Sequence, residues 1–285
     1  MNFKRELFLA GQSLGRVRVN DKEYYNQIGI ETDSTLKQCL CDSIAVYKQI
    51  RHISPDLYKN KIILDVGCGN GHLVHYFAKH GAKAAIGTDI AFYYIKSGQQ
   101  EHEFSVYNEK LRLGENTNVS FINSDAEKLP FKNNSFEMIL AVALLHHVKE
   151  KSDFISECRR ILVPGGRMVI VDPNGGHFLR NIVNRYARKI HFLTDTEEAI
   201  DITQLKNILN RNGFFVEEIK FEIFFGDLSA QLAVIIFKKS RVLGKIFQYF
   251  TLLCFAIDMF LDATLFKLFP NLGWRFFILA RKEIC

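Results

Sequence analysis

Six cysteines, at 39, 41, 68, 158, 254 and 285, form no repeated C-x-x-C pair and meet no histidine at zinc-binding spacing. A structural zinc module is therefore not expected, and the thiols are expected to stay reduced in a cytoplasmic compartment. Cys39 and Cys41 are the one close pair, and burial on a helix face explains them better than redox chemistry. Long apolar runs are missing as well. Near the amino terminus the longest is Leu7 to Ala10, behind Lys4, Arg5 and Glu6, which is too short for a signal-peptide core, so export is not expected. No uninterrupted apolar run reaches the ~18 residues of a conventional membrane span, so none is expected.

What is present suits a folded core. The chain has 285 residues, 48% hydrophobic and 24% charged, which excludes a disordered polymer and accommodates a single α/β domain with insertions. Its net charge of +6 permits an anionic partner without establishing one.

The most informative stretch is Leu64-Asp65-Val66-Gly67-Cys68-Gly69-Asn70-Gly71-His72-Leu73. Lys61 to Val66 has the composition of a buried parallel strand, and Leu73 to His80 suits a helix. The loop thus joins a strand's carboxyl end to a helix amino end, where open α/β sheets bind ligands. Glycine serves there because the turn favours positive φ and a side chain would hold a ligand off the backbone amides. A dinucleotide fingerprint needs glycine at the sixth position counted from Gly67, and that position is His72. Downstream, Ala84 to Ile90 reads as a short strand ending in Asp89, 18 residues after Gly71. A carboxylate there can accept both hydroxyls of a ribose, or it can simply be solvated in a turn.

Gly67-x-Gly69-x-Gly71 preceded by Asp65 resembles motif I of class I S-adenosylmethionine-dependent methyltransferases. Three further segments, from Val119 to Phe131, Ser135 to Val148 and Arg159 to Asp172, extend that resemblance in order, with Glu137 standing where the family usually has aspartate. The group resembled is the methyltransferase type 11, UbiE/Coq5-like one, over about residues 61 to 172. It implies an α/β fold with a Rossmann-like seven-stranded sheet, six parallel strands plus an antiparallel last strand inserted between the fifth and sixth, and helices on both faces. It implies S-adenosyl-L-methionine as cofactor, bound by Asp65, Gly67, Gly69, Gly71, Asp89 and Ile90. Asp125 and Ala126 would take the adenine, and backbone at Ala141 and Val142 would lie under the methionine part. Taken alone, Asp125 could equally cap a helix.

The expected organisation is a helical cap at residues 1–60, with a helix from Thr35 to Ile53, then a methyltransferase domain at 61–285. In the resembling family the cap covers the site, and Tyr24 and Tyr25 either reach it or are ordinary packing aromatics. Helical insertions are expected at about 175–195 and 227–272. The first reads as a basic amphipathic helix over Phe178 to His191. In the second, Leu243 to Phe269 read as a helix puts Lys245, Gln248, Thr251, Asp258 and Asp262 on one narrow stripe, with apolar residues filling the rest. Either that surface is a lid buried on its own domain or it meets an anionic membrane surface peripherally, with Lys238, Lys239 and Arg241 just ahead of it.

The expected reaction is in-line transfer of the sulfonium methyl to a small-molecule or lipid-like acceptor, in which positioning is the main gain available to the protein. His146 and His147 are the candidate catalytic bases for a hydroxyl acceptor, or they only shape their loop. The alternatives are a cofactor-binding scaffold without chemistry and an RNA or DNA methyltransferase. A nucleic-acid partner is not expected, because the chain has neither an Asn-Pro-Pro-aromatic nor an Asp-Pro-Pro-aromatic motif and Asp172-Pro173-Asn174 follows the wrong strand.

Overall fold

A computed structural model describes residues 50–96, 99, 118–177, 200–222, 226, 229, 236, 240–269 and 272–284. The cap ahead of residue 50, with Tyr24 and Tyr25, and the basic amphipathic segment from 178 to 191 lie outside the described residues. Seven strands form one sheet: β1 (Ile62–Val66), β2 (Ala84–Asp89), β3 (Val119–Asn123), β4 (Phe136–Val142), β5 (Leu162–Pro173), β6 (Phe214–Glu222) and β7 (Arg275–Lys282). Their spatial order is β3-β2-β1-β4-β5-β7-β6. β1 to β5 pair in parallel, and β7 runs antiparallel to both β5 and β6. This is the Rossmann-like sheet with an inserted antiparallel strand that the sequence resemblance implied. Four helices are described in full: α1 (His72–Lys79), α2 (Lys151–Ile161), α3 (Ile202–Arg211) and α4 (Arg241–Leu268).

Strand alternation builds two cores from the same strands. Ile139 and Ala141 of β4, Met168 and Ile170 of β5, and Phe276 and Ile278 of β7 face one side, where α2 and α3 contribute Phe154, Ile155, Leu205 and Leu209. Their neighbours Met138, Leu140, Val169, Val171, Phe277 and Leu279 face the other, against Leu57, Tyr58, Leu73 and Phe77. A central strand apolar on both faces is buried on both, so these strands read as continuous hydrophobic runs. The Pro164-Gly165 turn lies inside β5. Phe136 pairs with Leu162 and Met138 already with Arg167, so the turn bulges out with Gly165 at φ 74°. α3 starts where Asp201 accepts hydrogen bonds from the Thr203 and Gln204 amides, capping orphan donors of its first turn.

β6 is an edge strand and α4 packs on it. The carboxyl-terminal part of the helix's polar stripe is turned inward while Lys245 stays exposed: Thr251 and Asp258 are buried, the Gly226 amide donates to Asp258 Oδ2 (2.7 Å), and Asp262 pairs with Arg51. Arg51 belongs to a buried cluster around Glu222, whose carboxylate also meets His52 (3.1 Å) and Arg275 (2.9 Å). Burial alone would raise the Glu222 pKa, but Arg275, His52 and Arg51 together outweigh it and bring it down to about 2. Val242–Asp262, at mean hydropathy 1.4, is long and apolar enough to cross a membrane by length and composition. Run length missed it because Asp258 interrupts the apolar sequence, although in the fold that carboxylate faces the domain.

Candidate active site

Sheet order reverses direction between β1 and β4, and in open α/β sheets the crevice outside the carboxyl ends at such a point takes ligands. A cavity of about 410 Å³ opens there, within the range of roughly 300–1,000 Å³ usual for small-molecule sites. Gly67, Gly69, Asp89, Ile90, Asp125, Ala126, Val142 and His147 line it, so eight residues singled out in the sequence meet at one place. Asn70, Tyr94, Ser124, Ala143 and Leu144 complete much of the wall. Another depression of equal volume, between Glu127 and Glu157, has a charged wall and no glycine loop or strand end.

The glycine loop is fixed from below. Gly67 and Cys68 donate their amides to the Thr88 carbonyl, and Gly69 donates to Asp89 Oδ2 at 2.9 Å while Ala91 donates to Oδ1 at 2.8 Å. Gly67, Gly69 and Gly71 all have positive φ (71°, 51° and 79°). Their roles differ. A Cβ on Gly69 would meet nothing within 4 Å and would stand in the open cavity, whereas one on Gly71 would lie 2.4 Å from the Phe121 ring. Gly71 is not among the cavity's lining residues. It is the N-cap of α1 and lets that helix close on Phe121.

Asp65, Ala141 and His146 likewise lie outside the lining. Asp65 is buried at the end of β1 with Oδ1 unpartnered, and burial together with nearby Asp89 pushes its pKa up to about 8. Asp89 is itself raised by burial, against the pull of its amide donors. The same burial and the two acids keep the Cys68 thiol well above its ordinary pKa, an inert sulfur rather than a nucleophile. Ala141 is fully buried in the core just before the wall residues Val142 and Ala143. Asp125 accepts the Glu127 amide (2.9 Å), so one of its oxygens caps a turn.

The two histidines divide. His147 faces the cavity, and burial, with His146 beside it, pulls its pKa down to about 3. His146 places Nδ1 2.5 Å from Asp172 Oδ1, and its ring stacks at a tilt on His147 with centroids 3.9 Å apart. Asp172 is fully buried, and its other oxygen accepts the Leu144 and Leu145 amides (3.1 and 2.8 Å). It thus fixes the loop and the imidazole together. Sequence reasoning assigned Asp172 no role, although an acid ending an apolar strand, as in β1 and β2, was the available signal. Asn70 and Ser124 were missed too, and each has a buried side-chain oxygen (Oδ1 and Oγ) without a hydrogen-bond partner. Ala143 sits at φ 52°, a conformation a non-glycine residue adopts only under local constraint; here its amide is held by the Val171 carbonyl at 2.7 Å.

A seven-stranded Rossmann-like sheet with a glycine cradle, a strand-end acid and a second acid after β3 defines a nucleoside-cofactor-binding α/β protein of the methyltransferase class. Comparison with known proteins gives the family. Residues 64–170 match the family model described as a methyltransferase domain, and this segment resembles the class I S-adenosylmethionine-dependent methyltransferases of the type 11 group. Norajmaline N-methyltransferase of Rauvolfia serpentina is 32% identical over 113 residues, 40% of this chain and 36% of that protein. The ubiquinone/menaquinone biosynthesis C-methyltransferase UbiE of Pseudomonas paraeruginosa is 31% identical over 112 residues, 39% of this chain and 41% of that protein. The matches therefore span about two fifths of these relatives. In fold, the chain resembles Haemonchus contortus phosphoethanolamine N-methyltransferase 2, solved with S-adenosyl-L-methionine, at TM-score 0.58 and 18% identity over 84% of this chain and 52% of that one.

S-adenosyl-L-methionine is the cofactor of this family, and the residues here fit it. The open space over Gly69, the orphan oxygens of Asn70 and Ser124, and the lining acids Asp89 and Asp125 offer acceptors to a ligand carrying hydroxyls and amines.

Proposed function

We propose that this chain transfers the methyl group of S-adenosyl-L-methionine to a small-molecule or lipophilic acceptor. The observation that carries this reading is the cavity at the β1–β4 reversal, where Gly69 leaves room for a ligand and Asp89 and Asp125 stand at its edge. When bound, the cofactor supplies an activated methyl. The chain's own work is then to orient, to exclude water and to hold a proton acceptor. Gly67, Gly69 and Asp89 hold the nucleoside end, with Asp125 and Ala126 at the base. Val142 to Leu144, fixed through Asp172, set the floor near the reacting groups.

For a hydroxyl acceptor, His146 serves as the base, standing beside the lining residue His147 rather than in the lining itself. Its Nδ1 faces the Asp172 carboxylate, which fixes the tautomer and leaves Nε2 as the acceptor, the arrangement that makes an imidazole an effective base. His147, held neutral through the physiological range, is a wall and hydrogen-bonding group instead. Relatives named as a norajmaline N-methyltransferase and a ubiquinone/menaquinone biosynthesis C-methyltransferase support an acceptor with a large apolar part.

Titration calorimetry with S-adenosyl-L-methionine, followed by labelled methyl transfer into cell extract divided into lipid and aqueous phases, tests the proposal. Saturable binding lost in Asp89→Ala and label in the lipid phase are expected. Folded protein that binds no cofactor, or binds it without transferring label to either phase, refutes it.

A further inference from the structure

α4 is amphipathic in the reverse of the usual sense for a helix lying on a soluble domain. Its polar residues Thr251 and Asp258 are fully buried, while Tyr249, Phe260 and Ile246 are 75%, 68% and 61% exposed. At 100° per residue the exposed positions, from Met259 round through Val242 to Leu243, cover an arc of about 200°. Lys245 is the one charged side chain described on that arc. Both acids of the helix are turned inward, Asp258 toward the Gly226 amide and Asp262 toward Arg51. Basic residues at 238, 239, 241 and 245 cluster at its amino-terminal end, and Lys267 stands near the other.

We infer that α4 is a bilayer-docking surface that seats the protein on an anionic membrane, the helix lying in the interface plane. Length and hydropathy alone would also suit a span. The packing decides against one: the inward stripe rests on β6 and is tied to the Arg51–Glu222–Arg275 cluster, so a span would carry that ion network into hydrocarbon. In the interface plane the same helix buries its outer half among acyl chains and leaves the domain in water. The occupant follows from shape and charge. A second helix covers a narrow seam, and an arc of about 200° is more than one partner helix can hide. Among the described side chains of α4 the outward charge is Lys245 near the helix start, both acids being turned inward, and the sequence around it is basic, which complements anionic headgroups. This inference does not rest on the methyl-transfer reading, and its failure leaves cofactor binding untouched.

Flotation of the full chain with vesicles of phosphatidylcholine containing about a third phosphatidylglycerol tests it. The protein is expected at the top of the gradient with these vesicles. Pure phosphatidylcholine or high salt should weaken partitioning about tenfold. The triple variant Ile246→Asp, Leu253→Asp, Phe260→Asp, altered only at exposed sites, should lose at least tenfold while keeping its melting transition and its cofactor binding. Protein left at the bottom, soluble or aggregated, overturns the inference. So does equal flotation on neutral vesicles, or a dimer seen by light scattering that the triple variant dissociates and that never floats.

Discussion

Replacing Gly69 and Gly71 separately by alanine should divide ligand binding from folding. Both glycines have left-handed backbone, and an L-residue there costs about 1–2 kcal/mol, partly offset by about 0.4–1 kcal/mol through the stiffer unfolded chain. At Gly69 that is the whole cost, because the new methyl meets nothing within 4 Å. A loss of about 1 kcal/mol corresponds to roughly 2–4 °C in Tm for a domain of this size. The methyl nevertheless stands in the cavity proposed to take the cofactor, so affinity for S-adenosyl-L-methionine should fall at least tenfold. At Gly71 the methyl would lie 2.4 Å from the ring of Phe121, a ring packed among Val74, Ala85 and Ile95. Overpacking adds about 1–3 kcal/mol, so Gly71→Ala should lose roughly 2–4 kcal/mol, and its affinity should fall mainly through reduced folding. Melting curves and calorimetry on the same preparations read both quantities. If Gly69→Ala binds the cofactor like the parent, or Gly71→Ala melts no lower than Gly69→Ala, the assignment of one glycine to the ligand and the other to the helix start is wrong.

Asp65 gives a pH test: its folded pKa near 8 lies above the unfolded value of about 3.9, so its contribution is complete below pH 4 and is lost as pH rises toward 8, at about 1.4 kcal/mol per unit. Asp65→Asn should flatten the fall of Tm with pH across that window, and parallel lines for parent and variant would refute the buried, proton-holding carboxyl. Asp172→Asn should lower kcat for a hydroxyl acceptor roughly 10²-fold and shift its acid limb, with cofactor affinity nearly unchanged, because His146 loses its partner while the cavity lining stays; an unaltered pH–rate profile would remove His146 from the chemistry. Glu222 is the opposite case to Asp65. Its pKa of about 2 means that its stabilisation is present above the unfolded value and is lost as pH falls from about 4 to 2. Glu222→Gln should cost about 3–5 kcal/mol at neutral pH by leaving Arg51 and Arg275 buried beside a neutral amide, and a denaturant midpoint equal to the parent's would contradict it.

The sheet was legible because parallel strands buried on both faces leave continuous apolar runs, each ended by an acid or a turn, as in Ile62–Val66 and Phe136–Val142. The position of the cavity was legible for a related reason: ligands bind where strands end, and the informative residues sit at those ends. Gly71 and Asp65 belong to the same motif but lie outside the lining, since spacing cannot separate a residue that touches a ligand from one that shapes the loop beneath it. Asp172 went unassigned because its partner lies 26 residues back in the sequence and meets it only through the β4–β5 pairing. The polar stripe of α4 was visible, but its direction was not. Pattern gives a face, and only packing tells which way that face looks.

The position of β7 sets an order of assembly. Among the described strands β6 has β7 as its sole neighbour in the sheet, and β7 lies some fifty residues beyond β6 in the chain. During synthesis, therefore, β6 and then α4 leave the ribosome before the strand that will attach them exists. Until β7 pairs between β5 and β6, no described strand joins β6, and the α4 packed on it, to the rest of the sheet.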